Sequence, residues 1–199
     1  MKARVLLVHG LWMRAPALLF WKRQLTKAGY EAEFFSYPSL FQSPETAMQR
    51  LRDMALAQPN THLLAHSLGG LLTVKALANT PEFKGKIICV GTPLRGSEVA
   101  RQMAIKHVGK LAGLSLPLLC HGIIQIPKGL QVSVIAGIEP HGLGRLMHRF
   151  TEPNDGTVGL SETQLPGLAQ HVQVKVSHSG QLFSREVAGK ILLMLEQDV

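Results

Sequence analysis

The stretch Ala65-His66-Ser67-Leu68-Gly69-Gly70 follows a short apolar run, Thr61 to Leu64, and leads into a second apolar segment, Leu71 to Ala78. The first run reads as a buried strand and the second as a helix packed against a sheet. A serine is thereby placed on a sharp strand-to-helix turn. Such a turn needs small residues two positions to either side, because its backbone is strained and the flanking chain passes close behind it; Ala65 and Gly69 meet that demand. Two readings of the serine are open: a nucleophile elbow, or a cap on the following helix, which is a common use of serine. The strand before, the helix after and the double glycine favour the elbow, and an elbow requires a base, an acid and oxyanion donors elsewhere in the chain.

Outward from this stretch the same alternation recurs. Arg4 to Val8 is a continuous apolar run of the kind found in parallel strands covered on both faces, and it ends in His9 and Gly10 before a loop with Leu11, Trp12 and Met13. Leu18, Trp21, Leu25 and Ala28 then recur at three- and four-residue spacing, and Gly29 stops that helix. Tyr30 to Tyr37 reads as the second strand. Ser43 and Pro44 open a helix carrying Met48, Leu51 and Ala55. Lys86 to Val90 is the fourth strand, Gln131 to Gly137 the fifth and Val172 to Val176 the sixth, followed by Ser177-His178-Ser179 and a last amphipathic helix. Strands alternating with helices predict an α/β fold with a doubly wound, mostly parallel sheet of about six strands and helices on both faces, in one domain over residues 1–199. Between about 97 and 128 the rhythm pauses in helical, apolar sequence, which reads equally as a lid over the site or a plain cover on the sheet.

The 199 residues carry a formal charge of +8, with 46% hydrophobic residues and two cysteines. The basic residues are scattered, no basic run reaches five, and aromatic residues are few, so nucleic acid is excluded as a partner. A solvated basic surface is expected, with peripheral contact to an anionic membrane surface as a secondary use. Cys89 and Cys120 read as buried small hydrophobes, and no metal-ligand spacing or cofactor motif is present. No export signal precedes Val5, which points to the cytoplasm. The stretch 111–126 is broken by Gly113, Pro117 and Gly122 and falls short of the roughly 20 apolar residues of a membrane span. Oligomeric state is not set by these features.

In a doubly wound sheet, reactive residues gather beyond the carboxyl ends of the strands. His9, Ser67, Asp155 and His178 all fall there. A serine hydroxyl needs a base to take its proton as it attacks a carbonyl, and His178 is the candidate. Asp155, in the turn Asn154-Asp155-Gly156-Thr157, is the candidate to hold that imidazole in one tautomer, with Glu139 as its rival. The backbone N–H groups of Leu68 and Leu11 are the candidate oxyanion donors. Trp12 and Met13 are candidates for an acyl pocket, although apolar loop residues covering a core edge would read alike. His9 and His66 read as scaffold, and Ser97 and Ser179 as weaker rival nucleophiles because neither sits on an elbow. The segment from His141 to Phe150, with Arg145, His148 and Arg149, reads as basic surface.

Together, Val8-His9-Gly10, the elbow, Asn154-Asp155-Gly156-Thr157-Val158 and Ser177-His178-Ser179 resemble the α/β-hydrolase superfamily, most closely its small bacterial lipases and esterases. Gly91-Thr92-Pro93-Leu94-Arg95-Gly96-Ser97 is similar to a segment of lipases and of the inositol-deacylase-like group. Ala65 departs from the first glycine usual there, and the sheet starts at what would be the superfamily's third strand, which implies a minimal core. The resemblance implies a serine hydrolase of carboxylic esters, acting through an acyl-enzyme on Ser67 and without a cofactor. A thioesterase, an acyltransferase or a catalytically silent binding protein would carry the same fold.

Overall fold

Alternation along each strand sorts side chains onto two covered faces. In β1 (Arg4–Val8), Val5 and Leu7 enter one core while Leu6 and Val8 enter the other, and all four are fully buried. The computed structural model describes residues 3–141 and 148–197. β1 joins β2 (Glu31–Phe35), β3 (Thr61–His66), β4 (Lys86–Val90), β5 (Gln131–Gly137) and β6 (Gln170–Val174) in one sheet, ordered β2-β1-β3-β4-β5-β6. Every neighbouring pair is parallel. The chain first moves outward from β1 to β2 and then returns across it to β3, so the order reverses between β1 and β3. That reversal opens a crevice at their carboxyl ends, where His9 and Ser67 stand.

Helices cover both faces. α1 (Leu19–Lys27) and α6 (Arg185–Glu196) bury Trp21, Leu25, Val187 and Ile191 against Val5, Leu7, Ile88 and Ile135. α2 (Pro44–Leu56) and α3 (Leu68–Leu77) bury Leu51, Leu71 and Leu72 against Leu6, Leu63, Ile87 and Val134. α3 is apolar nearly all round, as befits a helix enclosed by the sheet, α2 and the insertion. Several element ends differ from the sequence expectation. β3 runs on to His66, because its pairing with β4 continues to Val90, and α3 begins directly after Ser67. β2 stops at Phe35 and β6 spans Gln170–Val174, ends set by sheet pairing that hydropathy alone does not reveal. Arg4 opens an otherwise apolar strand; its guanidinium is buried between Glu33 and the carbonyl of Met54. Of the basic segment expected at His141 to Phe150, Arg145 lies outside the described residues, while His148 packs edge-on against Phe150.

The insertion holds α4 (Glu98–Ile105), a 3-10 stretch (Gly109–Ser115) and α5 (Leu116–His121). The two expectations for it divide between its helices. α5 is cover, with Leu118 and Leu119 in the core. α4 instead turns Val99 and Met103 toward Leu11 of the loop after β1. Ser97 caps α4 by accepting the Ala100 N–H, and Glu162 accepts the Glu98 N–H, which ties the start of the insertion to the chain after Asp155. Cys89 is buried and Cys120 only partly so; both are free. Among the described residues no helix is long and apolar enough to cross a membrane.

α3 approaches the sheet closely at Gly69, where a β-carbon would stand 2.6 Å from the carbonyl oxygens of both Val8 and His9. Backbone atoms of a central strand cannot yield. Gly69→Ala is therefore expected to lower unfolding stability by about 3 kcal/mol, at the upper end of overpacking costs, read from the midpoint shift in urea denaturation.

Candidate active site

Ser67 joins β3 to α3 with φ 54° and ψ −125°, a left-handed conformation that a side-chain-bearing residue adopts at a cost of roughly 1–3 kcal/mol. Two hydrogen bonds hold it there: its N–H donates to the Val90 carbonyl at 2.9 Å, and its own carbonyl accepts from Gly70 N–H at 3.0 Å. Although Ser67 occupies the cap position of α3, its hydroxyl makes no capping bond. The Oγ lies 3.1 Å from Nε2 of His178 instead. The capping alternative raised by the sequence is thereby set aside.

Behind His178 is a buried carboxylate. Nδ1 of His178 donates to Oδ2 of Asp155 at 2.7 Å, which fixes Nε2 as the ring's acceptor toward Ser67. Asp155 is 1% exposed, and its Oδ1 accepts the N–H groups of Thr157 and Val158 at 2.9 and 2.7 Å. Its Oδ2 accepts a further bond, at 2.9 Å, from Nε2 of Gln181. Burial alone would raise the Asp155 carboxyl; the charge and hydrogen bond of His178, with the Val158 and Thr157 N–H groups, outweigh burial and hold it below its ordinary value. The backbone reinforces the pairing, since His178 N–H donates to the Asp155 carbonyl at 2.8 Å.

Gln181 was not among the residues singled out from sequence. It is wholly buried, and its carbonyl accepts the Trp21 indole N–H at 3.2 Å. Its one sequence signal is its position three residues after His178. Glu139, the rival acid, is surface-exposed and pairs with His141, apart from His178.

The other flank of Ser67 is the loop after β1. Gly10 does not take a left-handed turn; the positive φ falls on Trp12, at 59°. The glycine serves close approach, because a β-carbon there would lie 3.0 Å from Cβ of Ser67. Among the described residues no hydrogen bond engages the N–H of Leu11 or of Leu68. His9 is fixed beneath this loop: Nδ1 donates to the Gly10 carbonyl at 2.9 Å, Nε2 accepts Tyr37 N–H, and the two rings stack at 4.6 Å. His66 lies against His178 with ring centroids 4.7 Å apart, and its Nε2 donates to the His178 carbonyl at 3.2 Å. Its Nδ1 is buried without a partner.

Ser67 and His178 open onto a cavity of about 600 Å³ whose wall includes Leu11, Trp12, Met13, Val99, Met103 and Leu182. α4 thus supplies one side of it and the β1 loop another. Ser97 and Ser179 also reach this wall, but Ser97 caps α4 and Ser179, at φ −76°, begins a 3-10 turn; among the described residues neither hydroxyl is hydrogen-bonded to a histidine ring. Among the described residues no group of three His, Cys, Asp or Glu side chains converges to hold a metal ion.

No protein-family model and no curated sequence matches the chain. Its backbone does match solved structures. The mature form of lipase BlEst2 from Bacillus licheniformis superposes with a TM-score of 0.76 at 20% identity, over 98% of this chain and 92% of that one. The propeptide form of the same lipase gives 0.80 at 22% identity, over 99% of this chain and 51% of that one. Polyneuridine aldehyde esterase gives 0.67 at 14% identity, over 98% of this chain and 99% of that one. The chain has the α/β-hydrolase fold, in a compact form with a six-stranded sheet.

Burial, followed by the charge of His178 beside it, pushes the His66 imidazole down to about 3. His66 is expected to remain neutral, protonated on Nε2, from pH 5 to pH 9, with ring ¹⁵N shifts that do not titrate over that range. The unfolded chain can take up the proton that the folded ring refuses, so this group also makes stability fall as pH drops below about 6.5; urea midpoints at pH 7 and pH 5 read that loss.

Proposed function

We propose that this chain is a serine hydrolase of carboxylic esters that forms an acyl-enzyme on Ser67. One observation carries the reading: a hydroxyl on a strained elbow, 3.1 Å from an imidazole whose other nitrogen is 2.7 Å from a buried carboxylate, at the wall of an apolar cavity. Solved lipases and esterases of the same fold support the reaction class.

In the first half-reaction Ser67 Oγ attacks the ester carbonyl as Nε2 of His178 takes the hydroxyl proton, which contributes roughly 10²–10⁴-fold. The carbonyl π electrons move onto oxygen, and the free N–H groups of Leu11 and Leu68 stabilise the oxyanion, each by about 3 kcal/mol. Asp155 stabilises the imidazolium without taking its proton. Collapse of the adduct breaks the carbonyl–alkoxy bond, and the imidazolium hands its proton to the departing alkoxide. Water repeats the sequence on the acyl-enzyme: His178 removes its proton, hydroxide adds, and Oγ leaves reprotonated as the acid is released. Gln181 is a positioning residue here, since it holds the carboxylate that orients the base. The apolar wall suits an acyl chain in preference to a strongly polar acid.

With p-nitrophenyl esters from acetyl to palmitoyl, Ser67→Ala is expected to lose at least 10³-fold in kcat/KM while keeping its fold by circular dichroism; equal rates in the two proteins would overturn the assignment. Gln181→Leu leaves the carboxylate with one donor fewer and the base less firmly oriented, so kcat is expected to fall about tenfold or more with KM unchanged, measured beside the urea midpoint of the same variant.

A further inference from the structure

The reaction cavity is one of three hollows that meet at a single side chain. A second, of about 640 Å³, runs beside residues 36–41, and a third, of about 680 Å³, lies between Phe41 and the 3-10 stretch of the insertion. Among the described residues, Trp12 is the one that lines all three. Its indole N–H donates to the Leu111 carbonyl at 2.6 Å, which pins the ring across the gap between the β1 loop and the insertion. Two further hydrogen bonds tie the insertion to the segment after β2: Leu114 N–H donates to the Leu40 carbonyl at 3.1 Å, and Ser115 Oγ to the Ser39 carbonyl at 2.7 Å.

The third hollow is apolar. Leu40, Phe41, Leu111, Leu114 and Leu116 line it, and Lys110 is the one charged residue among its lining. Phe41 is 83% exposed and Leu111 and Leu114 more than half, so large apolar side chains are held in the open beside the entrance to the site. Apart from Lys110, the side chains of that wall offer apolar contact. A flexible alkyl chain suits it, and Trp12, shared by its wall and that of the Ser67 cavity, marks the side from which such a chain would come.

We propose that Trp12 is the partition that sets acyl-chain length, separating a reaction cavity from an outer groove able to take the distal part of a longer chain. This rests on the ester-hydrolase reading of Ser67. The chain's carbonyl end stays at Ser67, its first methylenes fill the cavity beside Met103 and Leu182, and the pinned indole stops it. Each further methylene that gained apolar cover would add up to about fourfold in kcat/KM. In the native protein that gain ends at the indole. Without the ring it continues into the groove.

The test compares p-nitrophenyl butanoate with p-nitrophenyl dodecanoate in the full chain. Trp12→Ala is expected to raise the dodecanoate-to-butanoate ratio of kcat/KM at least tenfold, and adding Leu114→Arg, which places a charge in the groove, is expected to return the ratio to the native value. Trp12→Phe, which keeps a ring but loses the pin, is expected to fall between. An unchanged ratio in Trp12→Ala overturns the proposal. So does a raised ratio indifferent to Leu114→Arg, which would point to surface docking on aggregated substrate. The same two esters are also bound without turnover by proteins carrying Ser67→Ala, and their affinity ratio by equilibrium dialysis should follow the same order. That second readout separates the two failures: absent Ser67-dependent hydrolysis defeats the functional reading, while affinity ratios that ignore Trp12 defeat the partition.

Discussion

The rest of the site depends on how closely two backbones approach at the elbow. Ser67 holds a left-handed conformation because its N–H is taken by the end of β4 and its carbonyl by the first turn of α3. Gly69 lets that turn rest on the carbonyls that end β1, and Gly10 lets the β1 loop lie against Ser67 itself. A hydroxyl raised above the sheet edge, at the start of α3 and against the β1 loop, follows from this packing. Strain of a few kcal/mol at one residue is tolerable only because the parallel strands on either side are fully buried and cannot give way.

Electrostatics complete what packing begins. A carboxylate with 1% exposure would be expelled or neutralised if it were alone. Four donors meet Asp155: two backbone N–H groups on one oxygen, an amide and an imidazole on the other. The negative charge therefore survives burial and orients His178. The neighbouring histidine is treated in the opposite way, for burial of His66, with the charge of His178, outweighs the pull of Asp155 and keeps the ring neutral. Two adjacent imidazoles thus take different parts. One faces Ser67 and the cavity, and the other braces the first from behind through its backbone carbonyl.

The insertion links the site to the surface. α5 buries Leu118 in the core and lends Leu119 to the reaction cavity and Leu116 to the groove, while α4 walls the reaction cavity and the 3-10 stretch after it walls the groove beside Trp12. Pinning of the indole to Leu111 couples the β1 loop, which packs against Ser67 at Gly10, to the insertion.

Sequence alone determined the strand and helix order, the six-stranded parallel sheet and the positions of Ser67, Asp155 and His178 at its carboxyl edge. Those features are written locally, in apolar runs of strand length, in three- and four-residue helical spacing and in the small residues around a turn. Strand ends were less legible, since β3 continues to His66 by pairing with β4 and not by its own hydropathy. Tertiary structure decided the rest. It brought Asp155 to His178 and left Glu139 on the surface with His141, and it put the buried amide of Gln181 on Asp155. It set Gly10 against Ser67, turned α4 toward the reaction cavity, and stood Trp12 where three hollows meet. Each of these depends on contacts between residues far apart in the chain, whose distances no local pattern encodes.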